Sequence, residues 1–209
     1  MKLFARAVLA ASLLGVIALA QASSLAIVVQ DGAGKPLADT VVYAEQDGLV
    51  LPKGPKGATI EQRGLKFLPL VTVVQSGAAI SFPNNDKVRH HIYSFSPAKK
   101  FDQKLYSGVA ASSQLFDKAG TVVLGCNIHD RMIAYVKVVD TPYFARTDSD
   151  GVAHIELPAG KYKLSAWHFN QLASAGADQQ VTVKGGDGAT AASFKLALKA
   201  ATDGEGSGY

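Results

Sequence analysis

Cys126, His129 and Met132 stand within seven residues, as Cys126-Asn127-Ile128-His129-Asp130-Arg131-Met132. A thiolate, an imidazole and a thioether make a soft donor set, of the kind that selects copper over hard cations. Cys126 is the only cysteine, and apart from the initiator Met132 is the only methionine. A trigonal mononuclear copper site needs two imidazoles and one thiolate in a plane, with a long axial thioether. The heptapeptide holds three of those four donors. The second imidazole has to come from His90, His91, His154 or His168.

Strand parity frames the donors. Val122, Leu124 and Cys126 fall on one face of an extended run, and Met132, Ala134, Val136 and Val138 on one face of the next. Cys126 therefore ends one core-facing strand and Met132 opens another, with His129 in the loop between. Both sulfurs are expected at the same end of a sandwich. His154 lies on a strand with Val152 and Glu156 and reads as exposed or locally hydrogen-bonded. His168 follows Trp167, a core candidate, and reads as a boundary residue. His90 and His91 remain, in Phe82-Pro83-Asn84-Asn85-Asp86-Lys87-Val88-Arg89-His90-His91-Ile92-Tyr93. Neighbours on a strand face opposite ways, so only one of them can reach a metal.

Around these donors nearly every segment reads as strand, and no long stretch carries helical periodicity. The chain is therefore expected to be all-β. Runs over 24–29 and 40–44 flank a turn over 31–36, and 47–57, with Gly48, Gly54, Gly57, Pro52 and Pro55, reads as a linker. A middle block over 58–140 has β-rich runs at 70–74, 78–82, 91–95, 114–116, 121–124 and 132–139. A third block from Pro142 has runs at 152–157, 161–169, 179–184 and 191–198. Residues 201–209, rich in Gly, Ser and acids, are expected to be a disordered tail. Lys99, Lys100 and Lys104, near Phe101 and Tyr106, read as a solvated loop or as a docking patch for an acidic partner.

Residues 1–22 have the pattern of a cleavable secretory signal. Lys2 and Arg6 precede an apolar stretch from Ala7 to Ala20, and Ala20-Gln21-Ala22 is a small-x-small cleavage site. The apolar run is too short to span a bilayer, and no other stretch reaches the required length. The mature protein is expected to be exported, to the periplasm. A lone exported cysteine has no internal disulfide partner, which points to intermolecular pairing or a reactive role. The formal charge of +4 drops by two with the leader, too little to suggest nucleic acid.

Over 58–140 the residues resemble the cupredoxins, the small blue copper proteins of the amicyanin and plastocyanin type. The spacing Cys-x2-His-x2-Met matches a short cupredoxin ligand loop. His90-His91-Ile92, after an Asn- and Asp-containing turn, matches the His-Asn-Val tripeptide that carries the family's first His. The wider pattern also resembles exported proteins of the methylamine-utilization type. The resemblance implies a Greek-key sandwich with one copper ion held by His90, Cys126, His129 and Met132. It also implies one-electron transfer with a redox partner protein, and a loop His that serves as the electron port. Family members have Asn where this chain has His91, so His91 stays a candidate.

The third block resembles a carboxypeptidase regulatory-like, or transthyretin-like, sandwich through Thr147-Asp148-Ser149-Asp150-Gly151 and Leu157-Pro158-Ala159-Gly160-Lys161-Tyr162. That family's opening strands match Gly34-Lys35-Pro36-Leu37 and the run after it. The expectation is one sandwich split in sequence, from 23–46 and 142–200, with the copper block inserted or packed beside it. Two or three strands alone rarely bury enough surface to be stable.

Five histidines and one cysteine cannot furnish a second copper centre, and no Ser-His-Asp or paired-carboxylate spacing supports a hydrolase. An electron carrier rather than an enzyme is therefore expected. The rival readings are copper storage or delivery, and a metal-free interaction module.

Overall fold

The structure, a computed structural model, describes residues 22–108, 112–172, 177–185 and 190–200. The leader up to Gln21 and the tail over 201–209 lie outside the described residues. Every helix or strand among those described is a strand, so the protein is all-β. In chain order the strands are β1 Ala22–Asp31, β2 Val41–Glu45, β3 Ala58–Thr59, β4 Glu61–Gln62, β5 Phe67–Leu68 and β6 Val71–Gln75. Next come β7 Ala78–Ser81, β8 His90–Ser96, β9 Lys99–Tyr106, β10 Gln114–Phe116, β11 Gly120–Cys126 and β12 Ile133–Val139. The last are β13 Phe144–Arg146, β14 Val152–Pro158, β15 Gly160–Trp167, β16 Asp178–Val183 and β17 Thr190–Leu196.

Two separate hydrophobic clusters form. One lies between the sheet β14-β1-β17 and the sheet β13-β2-β15-β16. It joins Leu25, Ile27 and Val42 from the start of the chain to Ile155, Tyr162, Leu164 and Leu196 from its end. β1 runs antiparallel to β14 and parallel to β17, so early and late segments share one sheet. The other cluster lies between the sheet β6-β12-β11-β8-β9 and the sheet β10-β7-β3. It includes Ile80, Phe82, Ile92, Phe116, Leu124, Cys126 and Met132. At about 1.5–3 kcal/mol for each large side chain fully buried, each cluster is a core in its own right.

The lysine segment differs from the loop reading. Lys99–Tyr106 is the edge strand β9, antiparallel to β8. Phe101 and Gln103 turn partly inward while Lys100, Asp102 and Lys104 stay exposed. The period-2 alternation was present in the sequence, masked by charge, and lysines on an edge discourage pairing with other chains. Trp167 also departs from expectation. It is half-buried where the two sandwiches meet, with its ring 6.4 Å from that of Tyr135.

Candidate metal centre

β11 and β12 form an antiparallel hairpin in which Gly125 pairs with Ile133. The Met132 N–H donates to the His129 carbonyl at 2.9 Å, and the Cys126 N–H to the Met132 carbonyl at 3.2 Å. These bonds close the heptapeptide into a tight loop and set Cys126 opposite Met132. Both are buried, at 3% and 2% exposure, within the same core cluster. Parity along two strands thus turns both sulfur residues inward, while His129 is half-buried on the loop.

The second segment is organised by Asn84. Its amide donates to the carbonyls of Val88 and Tyr106, both at 2.9 Å, and its oxygen accepts the Asp86 N–H at 3.0 Å. This local side-chain-to-backbone turn folds 84–88 back on itself and delivers His90 to the start of β8. Cys126 pairs with Ile92, so His90 lies two residues from the cysteine's cross-strand partner, on the same face.

His90 is fully buried and its Nδ1 is 3.8 Å from Cys126 Sγ. His129 Nδ1 is also 3.8 Å from that sulfur. The three donor atoms lie within 4.8 Å of one another, and the two imidazole rings meet edge to face at 5.0 Å. A first-row ion with bonds of about 2.05 Å to nitrogen and about 2.3 Å to sulfur, about 120° apart, needs nitrogen and sulfur roughly 3.8 Å apart. The donors present fit such an ion. His91 does not join them: its ring nitrogen contacts Asp102 on β9. His154 is exposed on β14. His168 is buried, stacked on Phe169 at 4.3 Å, and hydrogen-bonded through Nδ1 to the Asn170 N–H.

Asp86 was not singled out from the sequence, although it sits four residues before His90 inside the quoted turn. Its Oδ2 lies 2.8 Å from His90 Nε2 and accepts the Leu65 N–H at 3.0 Å, while Oδ1 accepts the Gly64 N–H at 2.6 Å. Partial burial alone would raise this carboxyl. The hydrogen bonds from His90, Leu65 and Gly64 outweigh that and hold it below the usual carboxylate range. An ionised carboxylate only accepts. His90 therefore donates from Nε2 to Asp86, which leaves Nδ1 as the ring nitrogen that faces Cys126.

Tyr106 closes the same end of the core. Its hydroxyl donates to the Phe82 carbonyl at 2.6 Å and contacts the Gln62 amide. Burial pushes its pKa up to about 12, the Gln62 hydrogen bond opposes this, and the Cys126 charge adds to the rise. The phenol stays neutral across the physiological range.

No family model and no curated protein matches the chain. Among solved structures it is similar to a purple cupredoxin from Nitrosopumilus maritimus, with 19% identity and a TM-score of 0.35 over 40% of this chain and 99% of that one. It is likewise similar to amicyanin from Paracoccus versutus, with 16% identity and a TM-score of 0.37 over 47% of this chain and 97% of that one. A reduced Cu(I) form of the P52G amicyanin mutant matches with 16% identity and a TM-score of 0.37, over 47% and 98% of the two chains. Likeness at this level carries no chemistry across, so the centre rests on the donor geometry of this chain.

Proposed function

We propose that the chain binds one copper ion through His90, Cys126, His129 and Met132 and serves as an exported one-electron carrier. The observation that carries this reading is the pair of imidazole nitrogens, each 3.8 Å from one buried thiol sulfur. The separations match what a trigonal ion requires, and few other roles account for two imidazoles converging on a lone buried cysteine. Copper held by a thiolate and two imidazoles cycles between its cuprous and cupric states in nearly the same geometry.

The residues of the chain keep that geometry fixed. Asp86 holds His90 in one tautomer and one orientation, and its own oxygens are anchored on the Gly64 and Leu65 backbone. The 126–132 loop is cross-bonded to itself and buried at both sulfur residues, which leaves little to rearrange when charge changes. Met132 would supply the fourth donor, because among the described residues it is the thioether buried in the core beside Cys126.

We further propose that the two cores are two units, one from 23–46 with 142–200, transthyretin-like, and one from 58–140. The N-terminal pattern supports export to the periplasm, and the carrier role requires a redox partner protein rather than a substrate. Loading the mature protein with Cu(II) tests the function. An intense thiolate-to-copper visible band, lost in Cys126→Ser, supports it. Copper bound without that band, with no reversible one-electron couple, would falsify it.

A further inference from the structure

The outer face of the β6-β12-β11-β8-β9 sheet is covered over only half its width. On β12, Tyr135 stacks on Phe169 at 4.9 Å, and Lys137 lies 5.5 Å from the Tyr43 ring and 5.6 Å from that of Trp167. The other sandwich therefore covers this half. The other half is open: Phe95 is 77% exposed, Val123 39% and Ile133 37%. These three, with Tyr93, Cys126 and Met132, line a cleft of about 410 Å³. The residues along it thus include two of the proposed ligands, whose side chains turn inward to the core.

Gly125 explains how aromatic surface comes so close to the backbone beside Cys126. A Cβ at this position would lie 2.7 Å from Tyr93 Cζ and 2.8 Å from its hydroxyl oxygen. The Tyr93 ring rests directly on the backbone beside Cys126 because there is no side chain to hold it off. The Tyr93 and Phe95 rings are in turn 5.1 Å apart. Aromatic surface thus runs from solvent to the residue next to the thiol.

Charge decides what this surface fits. Lys100 pairs in register with Phe95, and Lys99 with Ser96, which also lines the cleft. Asp102, opposite Tyr93, is taken up by Lys104 at 3.1 Å and by His91. Among the described residues no ion pair engages Lys99 or Lys100. Asp130 is the one carboxylate on the cleft itself. The apolar strip is therefore bordered by cations along β9.

We propose that this cleft, and not the His129 edge, is where the redox partner docks. The occupant is a protein presenting an apolar, aromatic protrusion flanked by carboxylates. The inference rests on the carrier reading above. In the encounter one electron passes between the partner and the site, one being oxidised as the other is reduced. No bond forms or breaks and no proton moves.

Two probes test the surface on the full mature chain. The first is anilinonaphthalene sulfonate, an anionic aromatic, titrated into the metal-free protein. Phe95→Ser, at an exposed position that the fold does not need, should weaken its binding by about fivefold or more. The second is hexacyanoferrate(II), an anionic reductant, mixed with the Cu(II)-loaded protein in stopped flow. Lys99→Glu with Lys100→Glu should slow reduction by about tenfold at low ionic strength, an effect that added salt erases. The same two charges reversed on the other sandwich, as Lys161→Glu with Lys195→Glu, should change the rate by less than about twofold. Equal slowing by both pairs, or dye binding indifferent to Phe95→Ser, overturns the inference while a normal thiolate band leaves the carrier intact. A missing thiolate band overturns the carrier and electron entry together, whatever the dye does.

Discussion

Replacing Asp86 tests whether the carboxylate behind His90 sets the centre. The carboxylate accepts three hydrogen bonds, two from backbone N–H groups and one from a fully buried imidazole. In Asp86→Ala the backbone groups turn to water, but the His90 Nε2–H is left in the core without an acceptor. An orphaned buried donor costs about 1–3 kcal/mol. The imidazole escapes by moving its proton to Nδ1, which then faces Cys126 and can no longer bind a metal. Loss of such a supporting partner typically weakens metal binding about 10- to 100-fold, or about 1.4–2.7 kcal/mol. Asp86→Asn should lose less, within about tenfold, because its amide oxygen can still accept from His90 and Leu65. Its amino group would then oppose the Gly64 N–H, so the loop around 64 should loosen. Competition with a Cu(I) chelator gives the dissociation constants, and long-range nitrogen NMR of the metal-free protein reads the tautomer. Wild-type affinity together with an unchanged Nε2–H tautomer in Asp86→Ala would show that the carboxylate does not set His90.

Other expectations concern the frame. Gly151 has φ +71°, and a Cβ there would lie 2.5 Å from the Val29 carbonyl oxygen, so Gly151→Ala should cost on the order of 2–3 kcal/mol in urea unfolding. A loss below about 0.5 kcal/mol would contradict that tight approach. Burial holds His168 below the ordinary histidine pKa, against the raising effects of Asp39 and of an Ala38 backbone hydrogen bond. The unfolded chain then binds more protons, so stability is fully present above about pH 6.5 and falls as pH drops below it. His168→Gln should flatten that slope, as read by denaturant melts at stepped pH. Tyr135 joins the two sandwiches by its stack on Phe169. Tyr135→Ala should remove about 0.5–1.5 kcal/mol of coupling. Calorimetry should then resolve two melting transitions, and an unchanged single transition would show that the contact does not couple the cores.

Much of the site could be read from the sequence because it rests on short-range rules. Strand parity alone turns Cys126 and Met132 inward, and the seven-residue spacing brings His129 round to the same sulfur. The choice between His90 and His91 lay beyond parity, which says that one faces in without saying which. It is decided by Asn84, whose hydrogen bonds to Val88 and Tyr106 set the entry into β8, and by Asp102 on β9, which takes His91. β9 itself was hidden, since its alternation is written in Lys, Phe, Asp and Gln rather than in plain apolar and polar residues. β3, β4, β5 and β13 are two or three residues each and carry no period to detect. Asp86 escaped notice because its role depends on a loop at 64–65 that is distant in sequence. The resemblance of motifs at both ends of the chain to one sandwich family implied that early and late segments belong together, but the parallel pairing of β1 with β17 is a tertiary fact.

The proposed centre consists of one sulfur and two imidazole nitrogens binding a single ion. X-ray absorption at the copper edge of the loaded mature protein addresses this most directly. One short sulfur bond and two imidazole nitrogens per copper are expected, with the second imidazole lost in His90→Ala and retained in His91→Ala. A spectrum without sulfur, or one altered by His91→Ala and not by His90→Ala, would contradict it.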